Sequence, residues 1–183
     1  MRIAYVGPGA AGKYTSMAFL VDHFGTAPTG AVLPDTGLPL RVRSERATWD
    51  VTVSRHGARA QYDYADWDSA APVVRAEIES MAEQDAFVFV FDAQVARLSA
   101  NLDQWRRLRT DLAWLGVDVD DVLVVVQLNK VDLPSTLSVS DARAQLRHEG
   151  PVVESVAVSG VGVVEAIEQA AALVAATPAS ARS

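Results

Sequence analysis

Hydrophobic positions along this chain fall into two rhythms. Short apolar runs, Ile3-Ala4-Tyr5-Val6, Phe87-Val88-Phe89-Val90-Phe91 and Val122-Leu123-Val124-Val125-Val126, alternate with longer stretches whose apolar residues recur every three or four positions. Unbroken runs are what strands covered on both faces require, and the wider spacing gathers side chains on one helix face. Residues 2 to 6 predict a first strand. Residues 13 to 24, with Met17, Leu20, Val21 and Phe24 on one face, predict a helix that Gly25 stops. Leu98, Leu102, Trp105, Leu108, Leu112 and Leu115 form a core-packing stripe along a long helix, with Arg106, Arg107 and Arg109 as its solvated face. After Pro134 come a short helix around Ser140 to His148, a strand near Val152 to Val158 and a closing helix from Val163 to Val174. The alternation predicts an α/β fold with crossover helices around a largely parallel sheet.

Two stretches depart from this rhythm. Thr26 to Pro39 holds Pro28, Gly30, Pro34, Gly37 and Pro39 without a period and reads as a mobile loop, the expected place for a ligand-sensing switch. Thr48 to Arg55 and Arg59 to Trp67 flank His56-Gly57-Ala58 and read as an antiparallel hairpin of the second and third strands.

Composition narrows the picture. The chain has 183 residues, 50% of them hydrophobic, enough for one domain over residues 1–176, with a small polar tail over 177–183 that frays. A net charge of −7 argues against nucleic acid or an anionic membrane as a main partner. The absence of cysteine removes disulfides, thiol catalysis and cysteine-borne lipid anchors. No charged leader precedes a long apolar stretch, so a cytoplasmic protein is expected. The histidines at 23, 56 and 148 lack metal-ligand spacing and suit surface or packing roles.

The candidate chemistry begins directly after the first strand. Gly7-Pro8-Gly9-Ala10-Ala11-Gly12-Lys13 sits between a strand and a helix and reads as a phosphate-binding loop. Glycines let successive N–H groups turn inward toward phosphate oxygens, the following helix adds its positive end, and Lys13 reaches the β- and γ-phosphates. The next position ordinarily carries Ser or Thr, whose hydroxyl binds Mg²⁺; here it is Tyr14, with Thr15 one step late.

A second signature, Asn129-Lys130-Val131-Asp132, follows the apolar run ending at Val126. A carboxylate there accepts hydrogen bonds from guanine N1–H and the 2-amino group, donors that adenine does not present together. Asn129 would bind the base and brace the phosphate loop, and the Lys130 stem would cover the ring. Alone, these residues would also suit a polar turn after a buried strand; paired with the N-terminal loop they point to guanine recognition.

These residues resemble the bacterial Ras-like small GTPases of the MglA type. Phe91-Asp92-Ala93-Gln94 is similar to the family's "ADSQ" strand end, Asn129-Lys130-Val131-Asp132-Leu133-Pro134 to its "NKRDLP" loop, and Ser159-Gly160-Val161-Gly162-Val163 to its "TGVGV" segment near the base. Gly7 to Lys13 is similar to its "GPGLSGK" loop. The resemblance covers nearly the whole chain. It implies a P-loop NTPase fold of three layers, with a mostly parallel six-stranded sheet and one antiparallel edge strand. It also implies GTP or GDP as ligand, with Ser159, Gly160 and Val161 near the base, and a dimeric roadblock-domain partner of the MglB type that contacts the switch regions.

Departures from the family fall on metal binding and hydrolysis. Where the family has Thr-Val-Pro-Gly-Gln after its third strand, the best register places Asp66-Trp67-Asp68-Ser69-Ala70. Ser69 would still supply an amide, Ala70 cannot orient water, and Asp66 stands where an aspartate organises Mg²⁺ through water, with Thr15 as the other metal candidate. Asp66 and Asp68 would equally suit solvated turn carboxylates. The family resemblance also makes Arg55 and Arg59 candidates for an arginine that offsets transition-state charge. Trp49 and Trp67 suit either a protein interface or the core. The expectation is a guanine-nucleotide-binding switch or scaffold with weak or absent intrinsic hydrolysis, acting in polarity or signalling. The alternative is an active GTPase stimulated by a roadblock-domain partner.

Overall fold

The computed structural model describes residues 1–24, 40–43, 48–53 and 78–177. Its strands are β1 (Arg2–Val6), β2 (Leu40–Arg43), β3 (Thr48–Val53), β4 (Ala86–Asp92), β5 (Val124–Asn129) and β6 (Val152–Ser155). Its helices are α1 (Lys13–Phe24), α2 (Leu98–Trp114), α3 (Val139–Leu146) and α4 (Val163–Ala176). Strands β1, β4, β5 and β6 lie side by side and parallel, with helices on both faces.

The sequence of β4, Ala-Phe-Val-Phe-Val-Phe-Asp, shows how the faces are assigned. Every one of its residues is buried. Successive side chains point to opposite sides of a strand. Phe87, Phe89 and Phe91 therefore share a face with Ala4, Val6, Val126 and Leu128, covered by Trp105, Leu108 and Leu112 of α2 and Ala142 and Leu146 of α3. Val88 and Val90 share the other with Ile3, Tyr5 and Val125, covered by Met17 and Leu20 of α1 and Ala166, Ile167 and Ala170 of α4. Burying each such side chain contributes about 1.5–3 kcal/mol, so the two clusters fix the helix positions. Local chemistry trims the ends: α3 begins with a reciprocal cap in which Ser138 Oγ accepts from the Asp141 amide and the Asp141 carboxylate accepts from the Ser138 amide.

Three expectations are corrected. The closing strand ends at Ser155 rather than near Val158, because the chain folds back so that the Val156 amide donates to the Val161 carbonyl. Arg107 is not on a solvated face: its half-buried guanidinium approaches Asp111, whereas Arg106 and Arg109 pair with Asp103 and Asp120 at the surface. The hairpin about His56-Gly57-Ala58 is replaced. The backbone of β3 pairs antiparallel with β2 on one edge and parallel with β1 on the other. Both edges of Thr48–Val53 are thus in use, by β2 and β1, and Arg59 to Trp67 lies outside the described residues.

The same pairing moves the end of the third strand to Val53. The register that places Asp66-Trp67-Asp68-Ser69-Ala70 after the third strand falls outside the described residues. Residues 54–77, including Arg55, Arg59, Asp66, Trp67, Ser69 and Ala70, lie outside the described residues, as do the switch-like loop up to Pro39, the Gly25 helix stop and residues 178–183.

Candidate functional site

Parallel strands bring their C-terminal ends to one edge of the sheet, where ligands of open α/β folds are bound. Here that edge carries the loops after Val6, Asp92, Asn129 and Ser155.

The first loop is held by close packing at both ends. Gly7 has φ +141, and a Cβ on it would run into the Val90 carbonyl oxygen of β4. Gly12 has φ +111, and a Cβ there would run into Asn129 Nδ2. Between them Ala10 takes a left-handed conformation, φ 64. Side chains are excluded where the loop meets the sheet, and the backbone curls over the first turn of α1. Lys13 opens that helix and is buried, its Nζ donating to the Gly7 carbonyl at 2.7 Å and the Pro8 carbonyl at 2.8 Å. Burial pushes the ammonium down to about 8. Tyr14 and Thr15 are exposed, and Ser16 is fully buried with its hydroxyl accepting from Gln127 Nε2 at 2.9 Å.

Asn129, at the tip of β5, connects this loop to the last one. Its Nδ2 donates to the Ala11 carbonyl at 2.7 Å, while its Oδ1 accepts from Ser155 Oγ at 3.1 Å and from the Ala157 amide at 2.9 Å. Asn129 and Ser155 are buried, so these bonds are sheltered from water. Lys130 follows with φ 69 and donates through Nζ to Asp92 Oδ2 at 2.6 Å. Asp132 is exposed two residues on. Ser159, Gly160 and Val161 belong to the turn after β6; Gly160 packs on the Phe19 ring of α1, and Val158 and Val161 are exposed.

The structure thus brings together Gly7, Gly12, Lys13 and Asn129, with Lys130 and Asp132 beginning the adjacent loop. Three contributors were not singled out from sequence. Ser155 and Ala157 fix Asn129 from the far side. Asp92, fully buried at the end of β4, accepts from Lys130 and from the Gln94 amide and side chain, and stands 3.8 Å from Arg97 Nε. A polar residue ending an otherwise apolar strand was the available signal for Asp92; nothing in the sequence pointed to Ser155 or Ala157.

A phosphate-bearing ligand fits this arrangement: a loop exposed at Gly9 and Ala10, in which a side chain is sterically excluded at both anchors, with a buried ammonium beside it. Direct hydroxyl coordination of Mg²⁺ does not fit as well. Tyr14 stands at the first position after Lys13, Ser16 is committed to Gln127, and Thr15 is displaced about 100° round the helix. Among the described residues no group of three His, Cys, Asp or Glu side chains could hold a metal ion.

No protein-family profile matches the chain. It is 29% identical over 184 aligned positions, covering 94% of this chain and 89% of the relative, to the Mutual gliding-motility protein MglA of Myxococcus xanthus. The likeness to MglA runs over nearly the whole length of the chain and accompanies the loop arrangement at the strand tips.

Proposed function

We propose that this protein is a guanine-nucleotide-binding switch or scaffold whose own GTP hydrolysis is weak or absent. The observation that carries the proposal is the contrast between a preserved frame and an altered metal position. Asn129 ties the phosphate loop to the base side, while Tyr14 stands where a small hydroxyl would meet the metal. In this reading the backbone from Gly9 through Thr15 faces the phosphates and Lys13 neutralises them. Lys130 covers the guanine ring and Asp132 accepts from its N1–H and 2-amino group. Ser159, Gly160 and Val161 border the base. The domain spans residues 1–176, its sheet six-stranded with β2 as the antiparallel edge. Catalysis in phosphoryl transfer is mostly positioning and charge stabilisation, so loss of a metal ligand weakens hydrolysis more than binding.

A dimeric roadblock-domain protein of the MglB type is the proposed partner and polarity or signalling the setting, supported by the motility name of the relative. A cytoplasmic location accords with this reading; among the described residues no helix is long and apolar enough to cross a membrane.

Mass spectrometry of the nucleotide released from purified protein, followed by competition between GTP and ATP, tests recognition. Guanine nucleotide in the released fraction and a preference for GTP are expected; equal affinities would overturn the proposal. Single-turnover hydrolysis with and without Mg²⁺ tests the second half. Turnover below that of an ordinary small GTPase is expected. An ordinary rate with a strict Mg²⁺ requirement would establish the active GTPase instead.

A further inference from the structure

The exposed middle of the phosphate-binding loop is held differently from its ends. Gly7 and Gly12 are locked against Val90 and Asn129, but among the described residues a Cβ on Gly9 would meet nothing within 4 Å. The Gly9 carbonyl accepts a hydrogen bond from 88 residues away: Arg97 Nη2 donates to it at 2.7 Å. Arg97 ends the short 3₁₀ turn Val95–Arg97 between β4 and α2, and its Nε stands 3.8 Å from the buried Asp92 carboxylate, which in turn holds Lys130. One carboxylate thus orients a cation on each side of the edge.

We propose that Arg97 is a positioning residue for diphosphate binding: it holds the Gly9 peptide so that the following loop amides keep their phosphate-facing geometry. The idea rests on the nucleotide-binding reading above. A guanidinium suits the task because its planar fork can address the Gly9 carbonyl and the Asp92 carboxylate together, which a lysine ammonium cannot do with the same geometry. Directed at a carbonyl oxygen, the guanidinium need not touch the ligand; it acts through the peptide it orients.

The test compares wild type, Arg97→Ala and Arg97→Lys by two readouts. In equilibrium binding, Arg97→Ala should weaken GDP about tenfold, the value of one charge-assisted hydrogen bond, while GMP, which lacks the β-phosphate, changes less than about twofold. Arg97→Lys should recover part of the loss. In hydrogen exchange on nucleotide-free protein, the amides of residues 9–13 should exchange about tenfold faster in Arg97→Ala, with β4 and β5 unchanged. Equal weakening of GDP and GMP, or no weakening, would overturn the proposal, as would unchanged loop exchange. If wild type binds no guanine nucleotide, the functional reading fails, and loop exchange alone decides the role of Arg97.

Discussion

At the residue scale, Lys13 and Asn129 carry different burdens. Burial lowers the Lys13 ammonium from its ordinary 10.5 to about 8, so below pH 8 the folded protein bears the cost of a partly desolvated charge. Between pH 8 and 10.5 the unfolded chain binds more protons at this site than the folded one. The contribution of Lys13 to stability therefore rises with pH across that window. Urea unfolding of nucleotide-free protein should show the stability of wild type relative to Lys13→Met increasing by about 1–2 kcal/mol from pH 7.5 to 9.5. The same variant should lose tight GDP binding while keeping its circular dichroism. Asn129→Ala should behave in the opposite way toward the fold. It strips partners from the Ala11 carbonyl, Ser155 hydroxyl and Ala157 amide at once, and the apo protein should lose about 1–3 kcal/mol in the same assay.

At the element scale, the strand tips matter more than the strands. Gly12 and Asn129 meet so closely that a methyl group cannot enter without displacing the Asn129 amide. Gly12→Ala also forces an L side chain to φ +111 and should cost about 2–4 kcal/mol, with the Ala11 bond lost as well. Chemical-shift changes at Ser155 and Ala157 in the variant would report that loss across the site; unchanged shifts there would show that the loop relaxes without moving Asn129. Those contacts also mark the limit of what the sequence discloses. Core elements were legible because burial imposes a period: β1, α1, β4, α2 and α4 follow from apolar spacing within a residue or two. Asn129 was recognisable from its tetrapeptide. The β2–β3 pairing was not, because Leu40-Arg41-Val42-Arg43 is short and adjoins a Pro/Gly-rich stretch, while Gly57 offered a competing turn. The bonds from Arg97 to Gly9 and from Lys130 to Asp92 join residues 88 and 38 positions apart, and no local pattern specifies a partner at that distance.

At the scale of the whole molecule, the loops at the strand tips are coupled through Asn129, and a ligand spanning them should stabilise the entire domain rather than one edge. The loops after β1 and β5 are joined by a buried bond, and both sit on strands that carry the two core clusters. A ligand at 100 times its Kd adds about 2.7 kcal/mol to unfolding, which for a domain of this size corresponds to about 5–10 °C in Tm. We expect GDP at that excess to raise Tm by this amount and ADP at the same concentration to leave it unchanged. On the proposed reading, in which Asp132 accepts from guanine N1–H and the 2-amino group, Asp132→Asn should cost about 1–3 kcal/mol of GDP binding and most of the shift. On the proposed reading that Tyr14 stands where a metal-binding hydroxyl would, replacing Mg²⁺ with a chelator should change the GDP-induced shift by less than about 2 °C in wild type. Tyr14→Thr should make it fall visibly on chelation. Differential scanning fluorimetry across these conditions decides the matter: a wild-type shift that vanishes with the chelator would show that another side chain holds the metal and that the altered position after Lys13 is compensated elsewhere in the domain.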